Sequence, residues 1–152
     1  MDIELTREFL DSCHEARRIC ELLPTLPPRL KPRHIRIIQV VHDRCEGKEG
    51  VRISDVAAAM KGTMPSITKL VNELCEMKVL IKKQSNNDRR VYTLKLTAKG
   101  RRYYTLYVDH FHNWLTEEMQ SIPDEDVKAT VRTIAKVKAI LQQGREDFGP
   151  LK

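Results

Sequence analysis

The chain lacks the features that mark most enzymes, secreted proteins and membrane proteins. It has no glycine-rich phosphate loop, no nucleophile elbow and no H-E-x-x-H pair, so it is not expected to be an enzyme. Cys13, Cys20, Cys45 and Cys75 stand far apart, with neither C-x-x-C spacing nor a Cys/His cluster, so reduced thiols are expected. No apolar run approaches the roughly 18 residues that a membrane-spanning helix needs. The opening Met1-Asp2-Ile3-Glu4 is acidic and lacks a signal-peptide layout, and a cytoplasmic protein is the expectation. There is no internal repeat and no low-complexity tract.

What is present is a globular composition, 41% apolar over 152 residues, with a net charge of +6. That length suits one domain with a real core, or a small domain plus an oligomerisation appendage. The charge is unevenly placed. Residues 61–102 carry eleven Lys/Arg and three Asp/Glu, residues 1–60 balance at ten each, and residues 103–152 carry six against eight. The excess positive charge therefore sits in the middle third, as a polyanionic partner would require. A solvated lysine-rich surface is the plainer alternative.

Apolar periodicity places the elements. Phe9, Cys13, Ala16, Cys20 and Leu23 recur at helical spacing, predicting an amphipathic helix over 4–23. Pro24, Pro27 and Pro28 end it, and a second helix runs from near Pro32 to about Cys45. Val51-Arg52-Ile53 reads as a short strand, Ser54–Met60 as a short helix, and Thr63 as the N-cap of a helix over 64–78. On that helix Met64, Ile67, Leu70, Val71, Leu74 and Met77 fill one side. Pro65, Ser66, Thr68, Lys69, Asn72, Glu73 and Glu76 fill the other. Strands over Val79–Lys83 and Val91–Leu96 flank a polar turn, Ser85–Arg90. A long helix from the N-cap Thr97 to about Gln120 carries Tyr103, Tyr104, Tyr107, Val108, Phe111, Trp114, Leu115 and Met119 on its apolar side. A last helix starts at Pro123, shows a Val127, Val131, Ile134, Leu141 stripe and stops at Gly144.

This order predicts a mainly α fold with a small antiparallel β wing: a winged helix-turn-helix flanked by dimerisation helices. In such a domain the second helix of the turn motif enters the major groove while the wing follows the backbone or enters the minor groove. The candidate DNA-binding residues are Thr63, Pro65, Ser66, Thr68, Lys69 and Asn72 on the helix, with Asp88, Arg89 and Arg90 on the wing. Hydroxyl, amide and ammonium groups on one outward face reach base edges or phosphates. Arginines at a turn suit a narrow, electronegative minor groove, and Asp88 is placed to hold one of them extended.

Two stretches resemble a known family. Ser66-Ile67-Thr68-Lys69-Leu70-Val71-Asn72-Glu73-Leu74 is similar to the recognition helix of the multiple antibiotic resistance regulator (MarR) family. Asp88-Arg89-Arg90, followed by Leu94-Lys95-Leu96-Thr97-Ala98-Lys99-Gly100, resembles that family's wing signature, D-x-R with L-x-L-T-x-x-G downstream. The likeness spans nearly the whole chain. It implies an obligate homodimer interlocked through the first and last two helices, and a repressor of pseudo-palindromic double-stranded operator DNA, released by a small ligand or by oxidation. By position Arg90 matches the wing-tip arginine and Asp88 its supporting acid. The resemblance divides the chain into an N-terminal dimerisation helix and connector (1–30), a winged domain (31–100) and C-terminal dimerisation helices (101–152). Lys78 departs from the family, which usually has Gly there, so a left-handed cap at that point would be strained. The proline-rich connector at 24–28 also departs from it.

Dimerisation has independent support, because the stripes on 4–23, 101–120 and 124–143 exceed what one small winged domain can bury. The family's ligand crevice lies between the dimerisation helices and the winged domain. The matching candidates are Cys13, Arg17, His34, Tyr107, His110, Phe111 and Trp114. The aromatics suit a flat aromatic effector, although at helical spacing they equally suit a core. Relatives that sense peroxides through an N-terminal cysteine make Cys13 a candidate thiol; the alternative is that Cys13 and Cys20 are small apolar residues in a helix seam. His110 and His112 diverge on a helix; His34 and His110 could still meet between helices, but neither a metal nor a cofactor is expected. A winged-helix protein-interaction module without DNA binding is the competing function, and the basic middle third argues against it.

Overall fold

Prolines, caps and apolar spacing set most of the observed boundaries. A computed structural model describes residues 2–45, 50–84 and 91–144, in two compact units, Met1–His110 and Phe111–Lys152. Helix α1 (Ile3–Ile19) opens at Asp2, whose carboxylate accepts the Leu5 amide at 2.8 Å, and it closes in a 3-10 turn, Cys20–Leu22. Helix α2 (Pro32–Cys45) starts on a proline, where the missing N–H forfeits no helical bond. Next come β1 (Val51–Arg52), α3 (Ile53–Met60) and α4 (Met64–Glu76). Ile53 opens α3 instead of extending the strand.

Strands β2 (Leu80–Gln84) and β3 (Tyr92–Leu96) pair antiparallel, with Leu80 opposite Leu96 and Gln84 opposite Tyr92. Val51 of β1 lies opposite Leu94, so the sheet order is β1-β3-β2. The expected wing tip, with Asp88, Arg89 and Arg90, lies outside the described residues.

One core holds this unit together. Ile37, Ile38 and Val41 of α2, Val56 of α3, Ile67, Val71 and Leu74 of α4, and Leu80 and Leu94 of the sheet are all but sealed from solvent. Burying such a side chain is worth about 1.5–3 kcal/mol, so α4 is anchored along its whole inner face. Met64 is the exception to the expected division: it lies on the first turn, beyond the core, and is 47% exposed.

The helix expected from Thr97 to about Gln120 is not uniform. After α5 (Ala98–Tyr104) the backbone adopts π-helical turns over Thr105–His110. Helix α6 (Phe111–Glu118) and a 3-10 turn, Met119–Ser121, follow. Wider turns rotate the later side chains out of the phase that regular spacing predicts. Tyr103, Tyr104 and Tyr107 pack half-buried against the core and Val108 is buried.

In the second unit α7 (Asp124–Gln143) follows Pro123, with three acidic residues in its first turn to complement the macrodipole. No residue of α6 or α7 is buried, and Val127, Val131, Ile134 and Leu141 all lie exposed. The same holds for α1, where Phe9 alone is half-buried. Among the described residues no helix is long and apolar enough to cross a membrane.

Candidate nucleic-acid interface

The turn between α3 and α4 is tight because Lys61 takes a left-handed conformation (φ 48°) and the Gly62 amide donates back to Ala57 O at 3.1 Å. Thr63 occupies the N-cap with extended backbone, but its hydroxyl makes no capping bond and stays exposed. Pro65 falls in the first turn. From there the inner face of α4 is sealed in the core while Pro65, Lys69 and Asn72 are exposed and Ser66 and Thr68 half-exposed. The candidate residues on the helix therefore share one accessible face.

The far end of α4 is held by the start of α5. Lys78 adopts φ 56°, the left-handed geometry that favours glycine, so the strained cap foreseen at this departure from the family is present. Compensating bonds surround it. The Val79 amide donates to Leu74 O at 2.9 Å, Lys99 Nζ to Met77 O at 2.9 Å, and the Thr97 hydroxyl to Lys78 O at 2.7 Å. Thr97 Oγ1 also accepts the Gly100 amide at 3.0 Å, the N-cap expected of it. Gly100 has a steric reason as well: a Cβ there would press into the Val79 carbonyl oxygen. The L-x-L-T-x-x-G signature thus has a physical content. Two buried leucines seat the strand, a threonine caps α5, and a glycine lets α5 pass against the Val79 carbonyl ahead of β2.

A polar clamp joins α4 to α2. His34 is fully buried, and its Nδ1 accepts the Lys31 amide at 3.1 Å, which leaves the ring proton on Nε2 to be donated to Glu73 Oε2 at 2.9 Å. Lys31 Nζ donates to the same carboxylate oxygen at 2.8 Å. The Lys31 hydrogen bond is the chief reason that the Glu73 carboxyl is held below its ordinary value. Burial pushes His34 below its ordinary value, against the pull of Glu73. Sequence reasoning set Glu73 among solvent-facing groups and missed this clamp; the signal was an acid on α4 with a histidine one turn into α2.

Comparison with known proteins places this geometry. Residues 30–100 match the family described as winged helix DNA-binding domain. This segment has the fold of a winged helix domain. Solved structures extend the likeness over almost the whole chain. FabT of Streptococcus pneumoniae, solved in complex with DNA, is 22% identical with a TM-score of 0.66, covering 93% of this chain and 99% of its own. MepR of S. aureus, also solved with DNA, is 16% identical with a TM-score of 0.62, covering 91% and 96%. BpsR of Bordetella bronchiseptica, described with the regulation of its DNA binding by 6-hydroxynicotinic acid, is 16% identical with a TM-score of 0.61, covering 88% and 98%. These neighbours are MarR-family regulators, and the chain has their fold. No curated protein matches the sequence at a significant level.

The effector candidates are distributed as follows. Cys13 and Arg17 lie exposed on α1. His34 is enclosed in the winged domain, with both ring nitrogens engaged by Lys31 and Glu73. Tyr107 is half-buried and stands edge-on to Tyr103, centroids 5.8 Å apart, while His110 is exposed. In the second unit half-buried Phe111 and exposed Trp114 form a tilted pair at 5.9 Å. Burial raises the Cys75 thiol above its ordinary value, with Lys82 opposing, which favours the neutral thiol over the thiolate.

Proposed function

We propose that this chain is a homodimeric transcription regulator in the cytoplasm. It reads pseudo-palindromic double-stranded operator DNA through α4 and the wing and represses until a small effector or oxidation releases it. The observation that carries the DNA reading is the two-sided α4 within the segment that matches the winged helix DNA-binding domain family. Ile67, Val71 and Leu74 are locked in the core while Thr68, Lys69 and Asn72 are turned outward. Lys82, Lys83 and Lys95 on the adjoining strands extend the cationic surface.

The uncovered stripes of α1 and α7 support the dimer, because a second copy would remove them from water. Tyr107, Phe111 and Trp114 support a small aromatic effector, as does the regulation of BpsR by an aromatic acid.

Titration of genomic fragments in a mobility-shift assay, beside sedimentation of the free protein, tests the reading. A dimer at micromolar concentration and a steep salt dependence are expected; a lone monomer, or indifference to DNA in dilute buffer, refutes it. Arg90→Ala should flatten the slope of log affinity against log salt by about 0.9 for each phosphate it leaves unneutralised. An unchanged slope removes the wing arginine from the mechanism. Lys69→Ala separates phosphate from base contact, according to whether it weakens binding uniformly or relaxes one base position.

A further inference from the structure

Strand pleating puts Leu80, Lys82 and Gln84 on one face of β2, and Leu80 of that face is buried beneath α4. Lys82 therefore leans toward the recognition helix, where its Nζ donates to Asn72 Oδ1. The same ammonium lies near Cys75, one turn on, where it opposes the effect of burial on that thiol. An ammonium only donates, so the amide atom facing it is the oxygen, and the NH2 of Asn72 occupies the opposite edge of the side chain. Both residues are exposed, so this arrangement is open to a ligand.

We propose that Lys82 is a positioning residue that sets which base Asn72 reads, by holding its amide oxygen toward β2 and presenting the NH2 outward as a donor. An unrestrained asparagine pairs with adenine by accepting from N6 while donating to N7, which needs oxygen and nitrogen together. With the oxygen engaged by Lys82, the outward edge is donor only. The base edge that answers donors alone is that of guanine, whose O6 and N7 both accept. A lysine on the strand would thus convert an adenine-reading side chain into a guanine-reading one. The inference rests on the DNA-binding reading and deepens it.

Selection from a random-sequence duplex library with the full-length protein tests it, comparing wild type with Asn72→Ala, Lys82→Met and Lys82→Arg. The wild type is expected to enrich a guanine at a position that Asn72→Ala leaves undetermined. Lys82→Met, which keeps the stem and removes the donor, should move that position from guanine toward adenine by about tenfold. Lys82→Arg, again donor only, should retain guanine. The same preference in Lys82→Met, or a loss of affinity equal for all sequences, would make Lys82 a phosphate contact and overturn the proposal. So would an Asn72→Ala that weakens all sequences alike, since Asn72 would then meet the backbone. A wild type that enriches no sequence would instead sink the DNA-binding reading itself.

Discussion

Replacing Gly100 by alanine sets two effects of opposite sign against each other. Gly100 lies within α5, where alanine is normally the better helix former by about 1 kcal/mol. At this glycine, however, a Cβ would overlap the Val79 carbonyl oxygen and come within 3.1 Å of Leu96 Cδ2. The carbonyl is backbone and cannot swing aside like a side-chain tip. It also accepts the Thr97 amide at 3.1 Å, so moving it loosens the junction of α4, β2 and α5. Overpacking of this kind costs about 1–3 kcal/mol, and a weakened buried hydrogen bond about 1 more. After the propensity gain the expected net loss is about 1–3 kcal/mol. With a slope near 2 kcal/mol/M, that lowers the urea midpoint by about 0.5–1.5 M. Gly144→Ala, with nothing within 4 Å of the new methyl, is the control and should stay within about 0.5 kcal/mol. Both must be measured at one protomer concentration, because dimerisation would add to stability. A Gly100→Ala midpoint at or above that of the wild type would show that α5 does not cross Val79 this closely.

Three further outcomes rest on other parts of the chain. Lys78→Gly should relieve about 1–2 kcal/mol of left-handed strain and lose about 0.5–1 to chain freedom, so a small rise in urea midpoint is expected and a fall refutes the strain. The folded-state pKa of His34 lies below its unfolded value of 6.5, so its contribution is present above pH 6.5 and declines as pH falls through the folded value. Glu73, also depressed, adds a second loss of the same sign below 4.5. Urea midpoints from pH 8 to 5 should fall more steeply in wild type than in His34→Gln, and parallel profiles would remove the clamp as their cause. Peroxide should abolish DNA binding by the wild type and spare Cys13→Ser if Cys13 is the sensing thiol, and equal responses exclude it.

Much of this architecture was legible because periodicity reports burial directly. The Ile67, Leu70, Val71, Leu74 stripe seals α4 into the core, and Pro32, Thr97 and Pro123 stand where they were expected to begin helices. The failures have physical causes. Ile53 joined a helix because β-branched residues serve either element, and the two-residue strand ahead of it carried little pattern. The π-helical turns at Thr105–His110 were invisible because the residues around them keep apolar spacing compatible with a regular helix. At the interface, residue types named the outward face of α4 but not its partners. The Glu73–His34 and Asn72–Lys82 contacts join residues 39 and 10 apart in sequence, and side-chain pattern alone carries no sign of such tertiary pairings.

Those partners change what α4 can do. Its inner face is sealed, its acid Glu73 is tied to Lys31 and His34 of the α2 end, Asn72 is tied to β2, and the Met77 and Lys78 carbonyls just past its end are held from Lys99 and Thr97. Reshaping such a helix would mean breaking several of these contacts together, and a packed core resists graded deformation. An effector with a few kcal/mol of differential affinity to spend has an easier route if the protein is the proposed dimer. It can shift two intact winged domains relative to each other, so that both α4 helices no longer meet successive turns of one duplex. On that view the clamps on α4 serve regulation as well as recognition. They keep the reading surface constant, so that its placement is the variable an effector controls.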